Sequence, residues 1–225
     1  MKRLQMKNHD TSGVLITFAG LDGCGKSTMI EMLEDKLQET NRCYLLTKQP
    51  THFVRETDIF RTYMDEPDHS AYDYRALSLL CAADRIQHTN KVILPALRSG
   101  RVVISDRYFH CCHANLRARG LRQDKWIYEI ARHIIRPDAA FMLDVPVETA
   151  VERVRARASE KERYIDMPLQ YRLREEHINT AKVSGGIILS SIGEKEATFE
   201  IIWEKLQSIL EENKNGYQEK SVENC

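Results

Sequence analysis

Residues 20–28 read Gly20-Leu21-Asp22-Gly23-Cys24-Gly25-Lys26-Ser27-Thr28, and they constrain how the rest of the chain folds. An apolar run precedes them at residues 14–19, and a helical pattern of apolar residues follows from Met29 to Leu37. A buried strand therefore leads through a glycine-rich loop into a helix, which is the context that the P-loop pattern G-x-x-x-x-G-K-[ST] requires. A plain glycine turn between a strand and a helix does not explain why Lys-Ser-Thr follows the last glycine.

The P-loop pattern predicts a site for the phosphates of a nucleoside triphosphate. Glycines let the backbone curl with its N–H groups pointing inward, and the following helix contributes its positive N-terminal end. In this motif the lysine reaches the β- and γ-phosphates, and the hydroxyl after it helps to hold Mg²⁺. The predicted phosphate-binding residues are Gly20, Gly23, Cys24, Gly25, Lys26, Ser27 and Thr28, and Ser27 is also a predicted metal ligand.

Length and composition limit the class of protein. The chain has 225 residues, which suits one α/β domain with a well-buried core. Its 33 basic and 33 acidic residues cancel, which argues against nucleic acid as a partner and favours a small ligand held by local charge. No apolar run is long enough to span a membrane, and residues 1–12 are polar, so we expect a cytoplasmic protein without a membrane partner. Six cysteines without C-x-x-C spacing indicate free thiols.

Strand and helix patterns alternate along the chain, which predicts a doubly wound, five-stranded parallel sheet flanked by helices. The strands are predicted at residues 14–19, 43–47, 101–105, 139–145 and 186–190, and the main helices after the P-loop helix at 54–64, 72–97, 126–135, 147–157, 169–182 and 197–210. We expect a single domain over residues 13–210, with a short lid at about 153–167. The N-terminus (1–12) and the C-terminal tail (211–225) are predicted to be flexible.

The third predicted strand ends in Asp106-Arg107-Tyr108. Ligands of open parallel sheets bind at the carboxyl ends of the strands, so charged residues placed there face a site rather than a packed interior. We therefore expect Asp106 and Arg107 to lie beside the P-loop.

Four segments together resemble the thymidylate kinase family of P-loop nucleoside monophosphate kinases. They are residues 20–28 quoted above, 79–88 (L-L-C-A-A-D-R-I-Q-H), 103–108 (V-I-S-D-R-Y) and 136–146, and the likeness covers about residues 14–210. The resemblance implies transfer of the ATP γ-phosphate to a nucleoside monophosphate, with Mg²⁺ bridging the donor phosphates. The acceptor that it implies first is dTMP, which would be converted to dTDP. It also implies a homodimer to which the long helix near residues 72–97 contributes.

The resemblance also implies roles for single residues. The family's aspartate matching Asp22 contacts the acceptor sugar, the arginine matching Arg107 holds the acceptor phosphate, and the arginine matching Arg85 reaches the pyrimidine base. The aspartate matching Asp106 lies near the metal and the acceptor phosphate. Some relatives carry an arginine inside the P-loop, but Gly23 stands there in this chain, so the lid must supply the catalytic arginines. The candidates are Arg153, Arg157 and Arg163. Arg157 is favoured, so the expected catalytic set is Lys26, Asp106, Arg107 and Arg157, and Arg153 and Arg163 are expected to bind the ATP phosphates.

Structural roles compete with several of these assignments. Arg153 and Arg155 lie on a predicted helix, where pairing with nearby glutamates is common and contributes little. Arg85 is adjacent to Asp84 and could pair with it or with a neighbouring carboxylate. Asp106 could serve only to orient Arg107.

The predicted nucleoside pocket departs from the family. The ring that stacks on thymine is replaced by Cys81, a polar base contact by Cys112, and the aromatic that crowds the sugar 2′ position by Asn115. The usual Arg-Glu-Pro after the second strand is Lys-Gln-Pro at residues 48–50. Loss of a stacked ring removes about 1 kcal/mol of contact beyond burial, so dTMP should bind less well, and a ribonucleotide or larger acceptor should be excluded less strictly.

Two other functions therefore remain open from the sequence. One is a paralogue that phosphorylates a different nucleotide or small acceptor. The other is a nucleotide-binding protein without turnover, which is disfavoured because Lys26, Ser27, Asp106 and Arg107 are all present. The run His110-Cys111-Cys112-His113 does not predict a zinc site, since only the two histidines can share a helix face and no second cluster completes a tetrahedron.

Overall fold

The computed structural model describes residues 2–222, and the side chains of residues 2–213. Its strands are β1 (Val14–Ala19), β2 (Tyr44–Lys48), β3 (Val102–Asp106), β4 (Ala139–Asp144) and β5 (Ile187–Ser190). They form one five-stranded sheet in the order β2-β3-β1-β4-β5, in which every neighbouring pair is parallel. The predicted doubly wound parallel sheet is confirmed, because parallel neighbours joined through helices are the arrangement that the alternating pattern predicts.

Ten α-helices surround this sheet in the described part of the chain. They are α1 (Lys26–Glu39), α2 (His52–Arg55), α3 (Asp58–Asp65), α4 (Tyr74–His88), α5 (Leu94–Arg98), α6 (Phe109–Ala118), α7 (Trp126–Ala131), α8 (Val147–Arg155), α9 (Met167–Ser184) and α10 (Lys195–Val222). A π-helical turn, Thr89–Ile93, joins α4 to α5, so the predicted helix over residues 72–97 is irregular just before Pro95. Proline has no N–H to donate, which explains why the regular hydrogen bonding relaxes at this point.

The sheet separates two hydrophobic cores. Along β1, Val14, Ile16 and Phe18 face a core that includes α1 and α10, and Leu15 faces a core that includes α4, α5 and α7. Successive side chains of a strand point to opposite faces, so a strand covered on both sides must be apolar throughout. This explains the continuous apolar run before the P-loop, and it leaves the carboxyl edge of the sheet for polar residues.

Helix α6 was not predicted from the sequence. Of its residues, Phe109 through Ala114, Leu116 and Ala118 are all buried. A helix that is buried nearly all round carries no polar stripe, so it lacks the periodic pattern by which a surface helix is recognised. This helix matters for function because it carries Cys112 and Asn115.

The two chain ends, both predicted to be flexible, form contacts and a helix in the structure. Leu4 is buried, and the backbone of Lys7 hydrogen bonds to that of Ile134 and Arg136, so the N-terminal segment lies against the domain. Helix α10 does not end at Leu210 but continues to Val222 through a stretch with three glutamates and two lysines, which favour helices. The flexibility of residues 211–225 stays a prediction, and residues 223–225 lie outside the described part. Within residues 2–222, no helix combines the length and the apolar character that crossing a bilayer requires.

Candidate active site

The P-loop backbone packs closely against the backbone of β4 and α8. Gly20 and Gly23 have left-handed φ angles of 130° and 84°. A Cβ atom at Gly20 would lie 2.4 Å from the Leu143 carbonyl oxygen, and one at Gly23 would lie 2.1 Å from the Ala150 carbonyl oxygen. Both positions therefore require glycine, for backbone conformation and for space.

The loop holds a buried cation beside the start of α1. The Lys26 Nζ atom donates to the carbonyl oxygens of Gly20 at 3.1 Å and Leu21 at 2.7 Å. Ser27 is exposed in the first turn of α1, and no side chain caps this helix at Gly25. The first N–H groups of a helix have no intrahelical acceptor, and here they lie beside the lysine ammonium. This is an arrangement that suits an anion.

Asp22 connects the P-loop to β3 and to the lid. Its carboxylate forms a close ion pair with Arg107, and the Nη2 atom of Arg163 lies 3.2 Å from its other oxygen. The Arg107 guanidinium holds the pKa of Asp22 well below its usual range, with help from Lys26 and Arg163 and against the opposing effect of burial. Asp22 is therefore ionised throughout the working pH range and gathers two arginines at the mouth of the loop.

Arg107 adopts an unusual backbone conformation directly after β3. Its φ angle is 69°, in the left-handed region that non-glycine residues rarely occupy. The turn is held by the Arg107 N–H, which donates to the Phe18 carbonyl at 2.9 Å, and by the Ser105 hydroxyl, which donates to the Arg107 carbonyl at 2.7 Å. A strained backbone conformation persists only where the surrounding structure imposes it. The residue held in this conformation is the one whose guanidinium pairs with Asp22.

Asp106 offers one carboxylate oxygen with no hydrogen-bond partner among the described residues. It is the register partner of Lys48 across β2 and β3, and the Lys48 Nζ atom lies 2.8 Å from its Oδ2 atom. Burial raises the pKa of Asp106. The hydrogen bond from Lys48 and the positive charge of Arg107 lower it by more than that, so the net shift of the pKa is downward. The buried Oδ1 atom is thus ionised and unpartnered.

These oxygens fit a magnesium ion that is shared with a triphosphate. Mg²⁺ in such sites takes one or two protein oxygens and fills its other positions with water and phosphate. The Asp106 Oδ1 atom and the exposed Ser27 hydroxyl meet this requirement. The described residues contain no cluster of three or more histidine, cysteine or carboxylate ligands that would hold a metal ion by itself.

The lid arginines do not all reach the cleft. Arg157 lies directly after α8, is exposed and lines the cleft, as does Arg163. Arg153 instead donates from its Nη2 atom to the Ser191 carbonyl at 3.1 Å, and it is not among the residues that line the cleft. Its contact with the ATP phosphates stays a prediction, and in this structure its guanidinium bonds to the loop after β5.

A cleft of about 1070 Å³ connects the P-loop to the space between α4, α6 and the lid. All six predicted acceptor-binding residues line it: Asp22, Cys81, Arg85, Arg107, Cys112 and Asn115. Arg85 is 3% exposed and donates from Nη1 to the Cys81 carbonyl at 2.9 Å, and its Nε atom has no partner among the described residues. Asp84 instead accepts from the N–H and the hydroxyl of Thr51, at 2.8 and 2.5 Å, so the alternative Asp84–Arg85 pair is not observed.

The residues that depart from the family pattern form a small, uncharged wall. Burial raises the pKa of Cys81 to about 11 and also raises that of Cys112, so both thiols are neutral. Asn115 donates from Nδ2 to the Cys111 carbonyl at 2.9 Å. The two thiols line the cleft but do not act as nucleophiles, because the reactive form of cysteine is the thiolate.

The neighbouring histidines have structural surroundings. His113 lies 3.0 Å by its Nδ1 atom from the Thr180 hydroxyl and 3.2 Å by its Nε2 atom from the Tyr128 hydroxyl. Burial lowers the pKa of His113 to about 3 and that of His110 to about 4, so both are neutral at physiological pH.

The sequence gives no role to several residues that line the cleft, among them Tyr74 and Arg119, which form part of the wall between α4 and α6. Lys48, noted from the sequence only as a departure from the family, pairs with Asp106. A helical signal for Tyr74 is present, because it lies eleven residues before Arg85, which is three turns along one helix face. No local signal identifies Arg119, which reaches the cleft only through the packing of α6 against α4.

The chain is similar to thymidylate kinases over most of its length. The thymidylate kinase family model matches residues 18–202. A probable thymidylate kinase of Pyrococcus horikoshii is 37% identical over 173 residues, which are 76% of this chain and 84% of that protein. One of Thermococcus gammatolerans is 35% identical over 176 residues with the same coverage, and the thymidylate kinase of Syntrophotalea carbinolica is 35% identical over 148 residues, covering 63% of this chain and 67% of its own. With Asp22 of the P-loop, Arg107 after β3 and Arg163 lining one cleft, and with the family model matching most of its length, the chain belongs to the thymidylate kinase family.

Proposed function

We propose that this protein transfers the γ-phosphoryl group of ATP to the 5′-phosphate of dTMP, which yields dTDP and ADP. The observation that carries the proposal is the position of Arg107, which lines the cleft and pairs with Asp22 of the P-loop. Asp106 precedes it and pairs with Lys48, which also lines the cleft. Family membership and the names of the relatives support the reaction. The presence of both a donor site and an acceptor site favours an enzyme over a protein that only binds nucleotides.

Positioning and charge account for most of the catalysis in such a transfer. Lys26 exchanges its bonds to the loop carbonyls for the β- and γ-phosphates, and Arg107 binds the acceptor phosphate while Asp22 holds it in place. Two anions that repel each other are thus brought together among fixed cations. Arg157 has an exposed side chain at the lid and supplies a further positive charge to the transferred group.

Ser27 and Asp106 would hold Mg²⁺ against the donor phosphates. When bound, this ion neutralises charge on the β- and γ-phosphate oxygens. The Lys48–Asp106 pair keeps the carboxylate ionised for that role and limits its movement.

Coupled measurement of ADP release tests the reaction. With Mg²⁺ and ATP, addition of dTMP should start ADP release, and Lys26→Met should reduce kcat by about 100-fold or more because a transition-state cation is lost. Arg155→Met is the matched control, since Arg155 is exposed and bonds to the Lys161 carbonyl rather than lining the cleft. Absence of acceptor-dependent ADP release with dTMP would refute the proposal.

We also propose a homodimer formed through the outer face of α4, in the cytoplasm. Leu79 and Leu80 are 45% and 38% exposed on this helix, and an exposed apolar face is favourable to cover. Sedimentation of the protein should give twice the mass of 26.1 kDa, and Leu80→Glu should yield monomers. A monomer at micromolar concentration would contradict this assignment.

A further inference from the structure

Arg119 places a positive charge in the cleft beside Tyr63 and Tyr74, and none of the phosphate-binding roles assigned above involves it. Its guanidinium carbon lies 4.1 Å from the ring centroid of Tyr74 and 5.7 Å from that of Tyr63. These two rings meet edge to face with centroids 5.1 Å apart. All three side chains line the cleft.

The charge of Arg119 is not neutralised within the described residues. None of the ion pairs among the described residues includes it, and the Asp124 carboxylate pairs with Arg75 at 2.8 Å. Its closest polar contact is the Asn115 Oδ1 atom, at 3.5 Å from Nη1, which is a weak hydrogen bond. Because aromatic rings cover the face of a guanidinium, its N–H groups, which lie in the plane, remain available to a ligand in the cleft.

Arg119 and Arg85 line the same cleft, and small side chains of α4 also line it. Tyr74, Ser78, Cys81 and Arg85 lie on one face of α4 and all line the cleft. The two side chains in the middle of this face, Ser78 and Cys81, are small. Eleven residues of helix span about 16 Å, so this face is longer than a pyrimidine ring.

We propose that Arg119 determines acceptor specificity, and that the enzyme phosphorylates pyrimidine deoxynucleoside monophosphates that carry a carboxylate or similar hydrogen-bond acceptor at the position of the thymine methyl group. This inference rests on the proposed function, because the acceptor phosphate is again held at Arg107. The chemistry is unchanged: the bond between the β-phosphate oxygen and the γ-phosphorus of ATP breaks, a bond to the acceptor phosphate oxygen forms, and ADP leaves. The guanidinium binds the added carboxylate in its plane, as arginine binds planar anions.

A purely structural role for Arg119 makes a different prediction. Arg119 follows the last residue of α6, where a cation stabilises the helix end, and its stacking ties α6 to α4. In that role its replacement would lower stability and affect every acceptor alike. Discrimination between acceptors therefore separates the two roles.

The test is an acceptor panel with the full chain, Mg²⁺ and ATP: dTMP, dUMP, 5-hydroxymethyl-dUMP and 5-carboxy-dUMP. The wild-type protein should use 5-carboxy-dUMP with a kcat/KM at least equal to that for dTMP. Arg119→Met, which keeps the length of the side chain, should lower kcat/KM for 5-carboxy-dUMP by about 10- to 100-fold through KM, because a charged hydrogen-bond pair is lost. It should leave dTMP within about threefold. Arg119→Lys should recover part of the loss.

The inference and the function fail in distinguishable ways. If the wild-type protein turns over dTMP but uses 5-carboxy-dUMP far less well, the inference is wrong and the proposed function stands. Equal losses for dTMP and 5-carboxy-dUMP in Arg119→Met would also overturn it in favour of the structural role. Lack of turnover with every acceptor would refute both.

Discussion

The carboxylate of Asp22 shows how one residue organises the reacting groups. It is shared by Arg107 at the end of β3 and Arg163 in the lid, and Lys26 lies close enough to lower its pKa further. The negative charge of this carboxylate partly offsets the positive charges of the three cations before substrates bind. When phosphates enter, they compete for the same cations, so these contacts position the arginines and are then partly exchanged.

Arg107 should govern acceptor use rather than donor binding. Replacing it by methionine removes the charged hydrogen bonds to the acceptor phosphate, and we expect kcat/KM for dTMP to fall about 100-fold or more. The stabilisation of the protein by Mg²⁺ and ATP, measured as a shift in Tm, should be unchanged because the P-loop is intact. A Tm shift that disappears in Arg107→Met would contradict this division of roles.

Arg157 should act on kcat alone. Its side chain lies at the lid, exposed and lining the cleft, so it is placed to meet charge that develops during transfer. Arginines that serve phosphoryl transfer in this way contribute about 10³-fold or more to kcat. We expect Arg157→Met to lower kcat on that scale with KM for dTMP little changed, and an equal effect in the control Arg155→Met would contradict it.

At the scale of elements, helix α9 is fastened to α6 by a buried carboxylate. Glu176 is 1% exposed and accepts from Arg117 Nε at 2.7 Å and from Arg122 Nη2 at 2.8 Å. This contact fixes the helix that follows the lid against the helix that carries Cys112 and Asn115.

Breaking this contact should destabilise the fold. Glu176→Ala leaves the arginine Arg117 largely buried without its partner, so we expect a loss of about 3 to 5 kcal/mol in the free energy of unfolding, measured with urea. The neighbouring Glu175 is exposed, and Glu175→Ala should change that free energy by less than about 0.5 kcal/mol. Similar losses for the two variants would show that α9 is not held by this ion pair.

At the scale of the whole molecule, sequence patterns predict the sheet well, because strands buried on both faces must be continuously apolar. The strand that precedes the P-loop and the charged residues that follow β3 show this directly. Helix α6 could not be recognised, since burial on all sides removes its polar face. The phosphate end of the site was predictable because Lys26 and Ser27 belong to a local motif. The position of Arg119 in the cleft could not be predicted, because it depends on how α6 packs against α4, and these helices are distant in sequence.

Three buried histidines should make the fold sensitive to mild acid. Burial lowers the pKa of His110 to about 4 and those of His113 and His177 to about 3, below the value near 6.5 that the unfolded chain has. The unfolded state then binds more protons as pH falls below about 6.5, so stability decreases in that range by up to about 1.4 kcal/mol per pH unit for each histidine. Urea unfolding at pH 7, 6 and 5 should show this slope. It should be smaller in His113→Gln and unchanged in His133→Gln, which replaces an exposed histidine, and a flat profile in the wild-type protein would contradict the assignment.

Calorimetric titration with a bisubstrate analogue, in which adenosine and thymidine are joined through their 5′ oxygens by a pentaphosphate, tests most directly that donor and acceptor share one cleft. Joining two ligands makes the second contact intramolecular. We predict one analogue bound per chain, at least about 100-fold more tightly than ATP or dTMP alone, with most of this advantage lost in Arg107→Met. Binding no tighter than that of ATP would contradict the account.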